Sequence, residues 1–280
     1  MAERAAGRLI VLADNTVSTR GLLAEHGLAY WIEVGARRIL FDTGQGLVLR
    51  ANATALGIDL QAVETVVLSH GHYDHTGGLA AVLGQAPCHV TVHAHPDALL
   101  PKFKREQAGA RAIGIPPPSL TALSGPHCRT LLSREPVEVA PGVYATGEIP
   151  RRHPDEPALE SFCLDPEGRR ADPLLDDQAL FIATDQGTVV LLGCAHAGVI
   201  NTLDRVVALT DDRPLLAVIG GLHLRSATSD RLAWTVDALR RFHIAKLYPA
   251  HCTGAAAAAA LWVAFPGQCL AAGVGATLSF

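Results

Sequence analysis

The stretch "VETVVLSHGHYDHTGG", residues 63–78, constrains the fold of this chain more than any other. Its first half is a short apolar run, the pattern of a strand buried on both faces. Its second half places His70, His72, Asp74 and His75 within six residues. A buried strand that ends in four such side chains must release them at the rim of a sheet. Imidazole and carboxylate suit zinc, iron or manganese. Alternate residues of an extended segment point the same way, so His70 and His72 can reach one cation. Asp74 and His75 fall where the chain turns toward a helix, which can aim them at a second position. Gly77 and Gly78 let the backbone turn tightly there. Two plainer readings compete, a polar surface loop and a closed structural zinc site. Four polar residues straight after a buried strand argue against the first, and structural sites draw mostly on cysteine.

Elsewhere the chain alternates strand-like and helix-like segments. Strands are predicted at 8–14, 28–35, 37–44, 63–69 and 89–95, the second and third forming a hairpin about Gly35. Helices are predicted at 47–56 and 79–84. Residues 100–178 are less regular and rich in proline, with short strands at 129–134 and 136–139, as expected of a lid or of substrate loops. Regularity returns with two strands across 179–196, a helix near 201–209 capped by Asn201 or Thr202, and a strand at 215–223. An amphipathic helix at 229–242 capped by Ser229 follows, then strand and loop at 244–254 and an alanine-rich helix at 255–264. The tail "GATLSF" predicts an edge strand through which two copies could pair as a homodimer. Two face-to-face sheets with helices outside would bury these segments in one domain.

Composition narrows the class. Of 280 residues, 49% are hydrophobic, enough for a sizeable core. The formal charge of −4 and the absence of a basic tract point away from a nucleic-acid surface. No CxxC pair occurs among the six cysteines, at 88, 128, 163, 194, 252 and 269. No apolar run reaches 18 residues and the start does not read as a signal peptide, so no membrane association and a cytoplasmic location are expected. No phosphate-cradling glycine loop appears.

"HGHYDH" resembles the H-x-H-x-D-H signature of the metallo-beta-lactamase superfamily, and "ILFDTG" (39–44) resembles the strand and turn that precede it there. "DNTVSTRG", "GCAHAGVINT" (193–202), "IGGLHL" (219–224) and "HCTG" (251–254) narrow the likeness further. Together they resemble the 7,8-dihydropterin-6-yl-methyl-4-(beta-D-ribofuranosyl)aminobenzene 5'-phosphate synthase-like subfamily. The resemblance implies an α/β four-layer alpha-beta/beta-alpha sandwich over 1–280, with one or two divalent ions at one edge. Zinc is the first expectation, with manganese or iron as alternatives.

Placement at strand ends and this likeness together select the later site residues. His196 would complete or bridge the centre, and His251 would join Asp74 and His75 at the second ion. Where the superfamily usually has a bridging aspartate, this chain has Cys194, which could ligate as thiolate or serve as a small buried apolar residue; the second role is favoured. His223 could be a ligand, a donor to a substrate phosphate, or a general acid. Asp42 is expected to fix a ligand imidazole. Thr253 with the following helix start could receive an anion, Phe103 to Arg105 could edge the cavity mouth, and Glu148 could face the pocket. The expected activity is hydrolysis of a small, anionic ester, foremost a phosphoester, by metal-activated hydroxide, with Asp74 and His223 catalytic. A synthase-like transferase, a lactonase or beta-lactamase, and a non-catalytic sensor are the alternatives.

Overall fold

The computed structural model describes residues 7–84, 86, 89–107, 109–156 and 161–280. Cys88 and the first six residues lie outside the described residues. In the first half, β1 (Gly7–Ala13), β2 (Ala29–Val34), β3 (Arg37–Phe41), β4 (Thr65–Val67) and β5 (Val90–Ala94) alternate with α1 (Leu49–Ala55), α2 (Tyr73–Thr76) and α3 (Leu79–Leu83). The middle holds β6 (Phe103–Glu106), β7 (Gly109–Ala112), α4 (Pro117–Ala122), β8 (Cys128–Leu132), β9 (Val137–Ala140), β10 (Val143–Ala145) and β11 (Phe162–Cys163). The last part runs β12 (Leu180–Ala183), β13 (Thr188–Leu192), α5 (Val199–Leu209), β14 (Leu215–Gly221), α6 (Ser229–Arg240), β15 (Lys246–Ala250), α7 (Ala255–Ala264) and β16 (Thr277–Ser279).

The first sheet has the order β16-β1-β2-β3-β4-β5-β8 and the second β15-β14-β13-β12-β10-β9, while β11-β6-β7 form a small third sheet. Residues 100–178 are therefore divided: β8 extends the first sheet, β9 and β10 extend the second, and β6, β7 and β11 make the third. The tail strand β16 pairs antiparallel with β1 and forms an edge of the first sheet.

Both faces of each main sheet are covered, which is why their strands read as unbroken apolar runs. Leu9 and Val11 of β1 join Val189 and Leu191 of β13 in the core between the sheets. Their neighbours Ile10 and Leu12 face outward onto Leu49, Leu79 and Val82 of the helices. Val190 and Leu192 likewise turn to Leu203, Leu239 and Leu261 of α5, α6 and α7. The layers are thus helix, sheet, sheet, helix, as the sequence predicts. No helix among the described residues is long and apolar enough to cross a membrane.

Two helix starts differ from expectation. Thr228, not Ser229, caps α6 by accepting from Arg231 N–H at 3.2 Å. α5 begins at Val199, and neither Asn201 nor Thr202 caps it. The Glu156 carboxylate does so from 44 residues away, accepting from Ile200 N–H at 3.0 Å and Asn201 N–H at 2.8 Å. A buried carboxylate at a helix start satisfies two orphan donors and suits the helix dipole.

Each sheet has a parallel run reaching one edge: β3, β4, β5 and β8 in the first, and β13, β14 and β15 in the second. Their C-terminal ends release Asp42, Ser69–His75, Gly193–His196, Leu222–His223 and His251 at one rim. Ligand sites of α/β sheets form outside such ends.

Candidate metal centre

Asp42 is the hub of the site. It follows β3, is wholly buried, and accepts from Ser69 N–H (2.7 Å), Ser69 Oγ–H (2.6 Å) and His75 Nδ1–H (2.7 Å). This bears out the expected orienting contact and fixes two imidazoles at once. His75 keeps its hydrogen on Nδ1. Ser69, having given its proton to Asp42, accepts from His70 Nδ1 at 2.9 Å. Both rings therefore turn Nε2 toward the rim.

Around His70 Nε2 lie His72 Nδ1 at 2.9 Å and His196 Nε2 at 3.3 Å. Burial, reinforced by the surrounding imidazoles, holds His70 and His196 well below the ordinary histidine range. Burial also pulls His72 down to about 3. Neutral rings with converging nitrogens can hold a cation; deprotonated ligands are what a metal requires.

A second set faces it. His75 Nε2 lies 3.2 Å from His251 Nε2, and Asp74 Oδ2 lies 3.5 Å from His251 Nε2 and 3.8 Å from His75 Nε2. His251 is oriented by Asn15 Oδ1, 2.9 Å from its Nδ1, while its backbone N–H donates to Asp14. Two lone pairs this close repel unless a proton or a metal lies between them. Burial opposes charge on His75, but Asp42 and Asp74 outweigh it and raise its pKa to about 9. Burial also opposes ionisation of Asp74, yet His75, His251 and His26 outweigh it and hold that carboxyl well below the usual range.

Cys194, His223 and Cys252 complete the rim, their donor atoms within 4.8 Å of one another. Burial pushes the Cys194 thiol up, with Cys252 adding to it. At Cys252 burial acts in the same direction, but hydrogen bonds from Cys194 and His223 outweigh it and lower the thiol. His223 is paired with Cys252, and its Nδ1 has no partner among the described residues. His72 Nε2 and His196 Nδ1 are buried without partners as well. Unpaired buried polar atoms are rare and mark places where an ion or water belongs. The atoms that converge are the other nitrogens of these rings, His72 Nδ1 and His196 Nε2, and it is this convergence, with the clustered donors of His75, Cys194 and His251, that fits a divalent ion. Asp42, Ala195, His223 and His251 all adopt positive φ, between 48° and 59°. Such backbone strain in non-glycine residues gathers at functional sites.

Gly193 permits the close approach of β13 to this hub, since a Cβ there would collide with the Ser69 side chain. Gly193→Ala is expected to displace Ser69 from Asp42 and to destabilise the protein by about 1–3 kcal/mol, as read by urea unfolding.

The two sets open into a cavity of about 700 Å³, lined also by Tyr73, Phe162, Trp234, Lys104, Arg111 and Arg225. Of the segment Phe103 to Arg105, only Lys104 lines it; Arg105 turns to Gly168 O at 2.6 Å. Glu148 lies elsewhere, bound to Arg134 and to His95 at 3.0 Å. Thr253 is buried and accepts from Leu222 N–H at 3.0 Å, which leaves its hydroxyl engaged in joining strand ends rather than receiving an anion.

Several contributors carried no sequence signal. His26 lies 3.2 Å from Asp74 Oδ2 and stacks on His251. Asp14 and Asn15 sit in the "DNTVSTRG" segment, but their grip on His251 needs the fold. The buried Lys102 Nζ bonds Asp172 at 2.8 Å and Asp176 at 2.9 Å, and Asp176 in turn accepts from Gly71 N–H at 2.8 Å. This ties the irregular middle segment to the loop carrying His70 and His72.

A family profile described as "Metallo-beta-lactamase superfamily" matches residues 23–251. A 7,8-dihydropterin-6-methyl-4-(beta-D-ribofuranosyl)-aminobenzene-5'-phosphate synthase of Methanocaldococcus jannaschii is 29% identical over 82% of both chains. An uncharacterized protein of the same organism is 31% identical over 87% of this chain and 90% of its own. A crystal structure described as a metal-dependent hydrolase of the beta-lactamase superfamily superposes with a TM-score of 0.82 at 30% identity, covering 97% of this chain and 98% of that one.

Proposed function

The chain belongs to the metallo-beta-lactamase superfamily, and from that premise we propose that it is a metal-dependent hydrolase of a small anionic ester, foremost a phosphoester. One observation carries this: two sets of oriented imidazole nitrogens converge at the floor of a single cavity. His70, His72 and His196 would hold one divalent ion, and Asp74, His75 and His251 a second. When bound, such an ion supplies Lewis acidity and brings the pKa of a water toward neutrality. Zinc suits these donors first, manganese or iron next. Asp42 holds His75 and, through Ser69, His70 in the tautomers that binding needs. Asp74 is also placed to orient the attacking water. His223 lines the same cavity and would donate a proton to the leaving group.

Lys104 and Arg225 line the cavity and form no salt bridge among the described residues, so they are available to an anionic substrate. Lys104→Ala and Arg225→Ala are each expected to raise KM roughly tenfold, a loss of about 1.4 kcal/mol of binding. Steady-state kinetics should show kcat little altered.

A synthase-like group transfer at the same site is the second reading, supported by the 29% identity to the M. jannaschii synthase. The deciding experiment is a metal-defined panel of phosphodiesters, phosphotriesters, lactones and nitrocefin, with His72→Ala as control. Metal-dependent phosphoester turnover, abolished in the control, is the expected result. Protein prepared with zinc, manganese or iron that retains almost none of them would sink both readings. A protein that binds metal, yet hydrolyses nothing in the panel, would leave group transfer as the better account.

A further inference from the structure

We infer that Cys194 and Cys252 are a reversible redox pair, which hydrogen peroxide joins in a disulfide that closes the rim to metal. The disulfide depends on the two sulfurs alone; only its effect on metal uptake rests on the reading that the imidazole sets hold metal. The two Sγ atoms lie within 4.8 Å of each other. Cys252 Sγ also donates to the Cys194 carbonyl oxygen at 3.5 Å, so its side chain reaches across to the other cysteine. Although 4% and 7% exposed, neither residue belongs to the apolar clusters of the core. Cys194 Sγ instead lies 3.3 Å from His75 Nε2, which corrects the expectation of a small buried apolar residue. Both cysteines line the cavity, where a small oxidant can meet them.

The fold brings the pair together across a strand. Cys194 follows β13 and Cys252 follows β15, while β14 runs between them. Within a sheet, two strand spacings of about 4.8 Å each would put their backbones beyond disulfide reach. Gly221, at the end of β14, removes the obstacle: a Cβ there would collide with Cys252 Sγ and stand 3.4 Å from Cys194 Cα. Both cysteines lie past their strand ends, beside the left-handed turns at Ala195 (φ 51°) and His251 (φ 48°). Neither is paired in a ladder, so side-chain rotation is free to set the sulfur separation. Other sulfurs point elsewhere: those of Cys128 and Cys163 lie 3.6 Å from Thr130 Oγ1 and Phe103 O respectively.

The oxidation balances with one hydrogen peroxide. One cysteine sulfur attacks a peroxide oxygen; the S–O bond forms, the O–O bond breaks, and the first water leaves with the thiol proton. The second sulfur then attacks the first; the S–S bond forms, the S–O bond breaks, and the second water leaves. Two thiols are oxidised to one disulfide and the peroxide is reduced to two waters. An S–S bond of about 2 Å draws Cys194 Sγ toward Cys252 and away from His75. Neither sulfur then remains a thiol donor at the rim, and a reductant restores both.

The full-length, metal-free chain treated with hydrogen peroxide tests this without recourse to activity. Two of the six thiols are expected to disappear on titration in denaturant. Peptide mapping should show one cross-link, between residues 194 and 252, absent after reduction with a phosphine. Cys269→Ser should form the same cross-link and Cys252→Ser none; if the latter fails to fold, the wild-type map still decides. Freed of peroxide, the oxidised protein should bind zinc at least about tenfold more weakly in calorimetry, no less than the loss from removing a ligand's partner, and regain its affinity on reduction. Thiols that stay free, that oxidise further without cross-linking, or that pair with a different cysteine would overturn the redox pair. A 194–252 cross-link that leaves zinc affinity unchanged would overturn the closing of the rim. All of these leave the hydrolase reading intact. A reduced protein that binds no zinc would instead overturn that reading, and the closing of the rim with it.

Discussion

Asp42→Ala is expected to weaken the protein and its metal centre together. Three donors, Ser69 N–H, Ser69 Oγ–H and His75 Nδ1–H, converge on this wholly buried carboxylate. Each buried donor left unmatched costs about 1–3 kcal/mol, so a loss of roughly 3 kcal/mol or more should appear in urea unfolding of the metal-free protein. Metal affinity should fall about 10–100-fold, the usual effect of removing a partner that orients a ligand histidine. Asp42→Asn separates the two effects. The amide oxygen can still accept from Ser69 N–H, but the nitrogen presented to His75 Nδ1 and Ser69 Oγ is itself a donor. His75 must then move its hydrogen to Nε2, the atom that faces the centre. Zinc titration by calorimetry should show the affinity loss with most of the stability retained. Unchanged affinity in both variants would mean that Asp42 has only a packing role.

Lys102→Met is expected to cost about 3–5 kcal/mol, the range for removing one partner of a buried ion pair. Lys102 is 2% exposed and its ammonium lies between Asp172 and Asp176, both buried. Removing it leaves two carboxylates facing each other in a poorly hydrated interior. The loss should be read as a lowered urea midpoint with an unchanged slope. Because Asp176 also receives Gly71 N–H, the loop between His70 and His72 should loosen as well. Faster hydrogen exchange at Gly71 would report this directly. A Lys102→Met, Asp172→Leu, Asp176→Asn triple variant removes the excess charge and should recover much of the stability.

The parts of the fold that depend on local pattern were legible in the sequence. Residues 63–69 read as a buried strand, and β4 is buried in the first sheet as expected. The dense cluster from His70 to His75 declared itself because four polar groups follow a buried strand. His196, His223 and His251 were legible as strand-end residues, and the structure brings all three to the rim where that cluster lies. What was not legible depends on contacts between distant segments. Glu156 caps a helix 44 residues onward, and no local spacing encodes that. Asn201 has the chemistry of a cap but is drawn away to Arg152 N–H at 2.7 Å. Glu148 was a candidate pocket residue, yet Arg134 and His95 hold it elsewhere.

The two donor sets share a property that bears on the mechanics of the whole molecule. His70 and His72 leave the first sheet and His196 the second; Asp74 and His75 leave the first and His251 the second. An ion at either position would act as a clasp across the gap between the sheets, joining segments more than a hundred residues apart. Only the folded chain can assemble such a clasp, so occupancy adds to stability by mass action, about 4 kcal/mol at a thousandfold excess over Kd. Starved of metal, the two halves would keep their shared apolar core and hydrogen bonds such as those from His251 N–H to Asp14 and from Gly71 N–H to Asp176, but would lose the clasp.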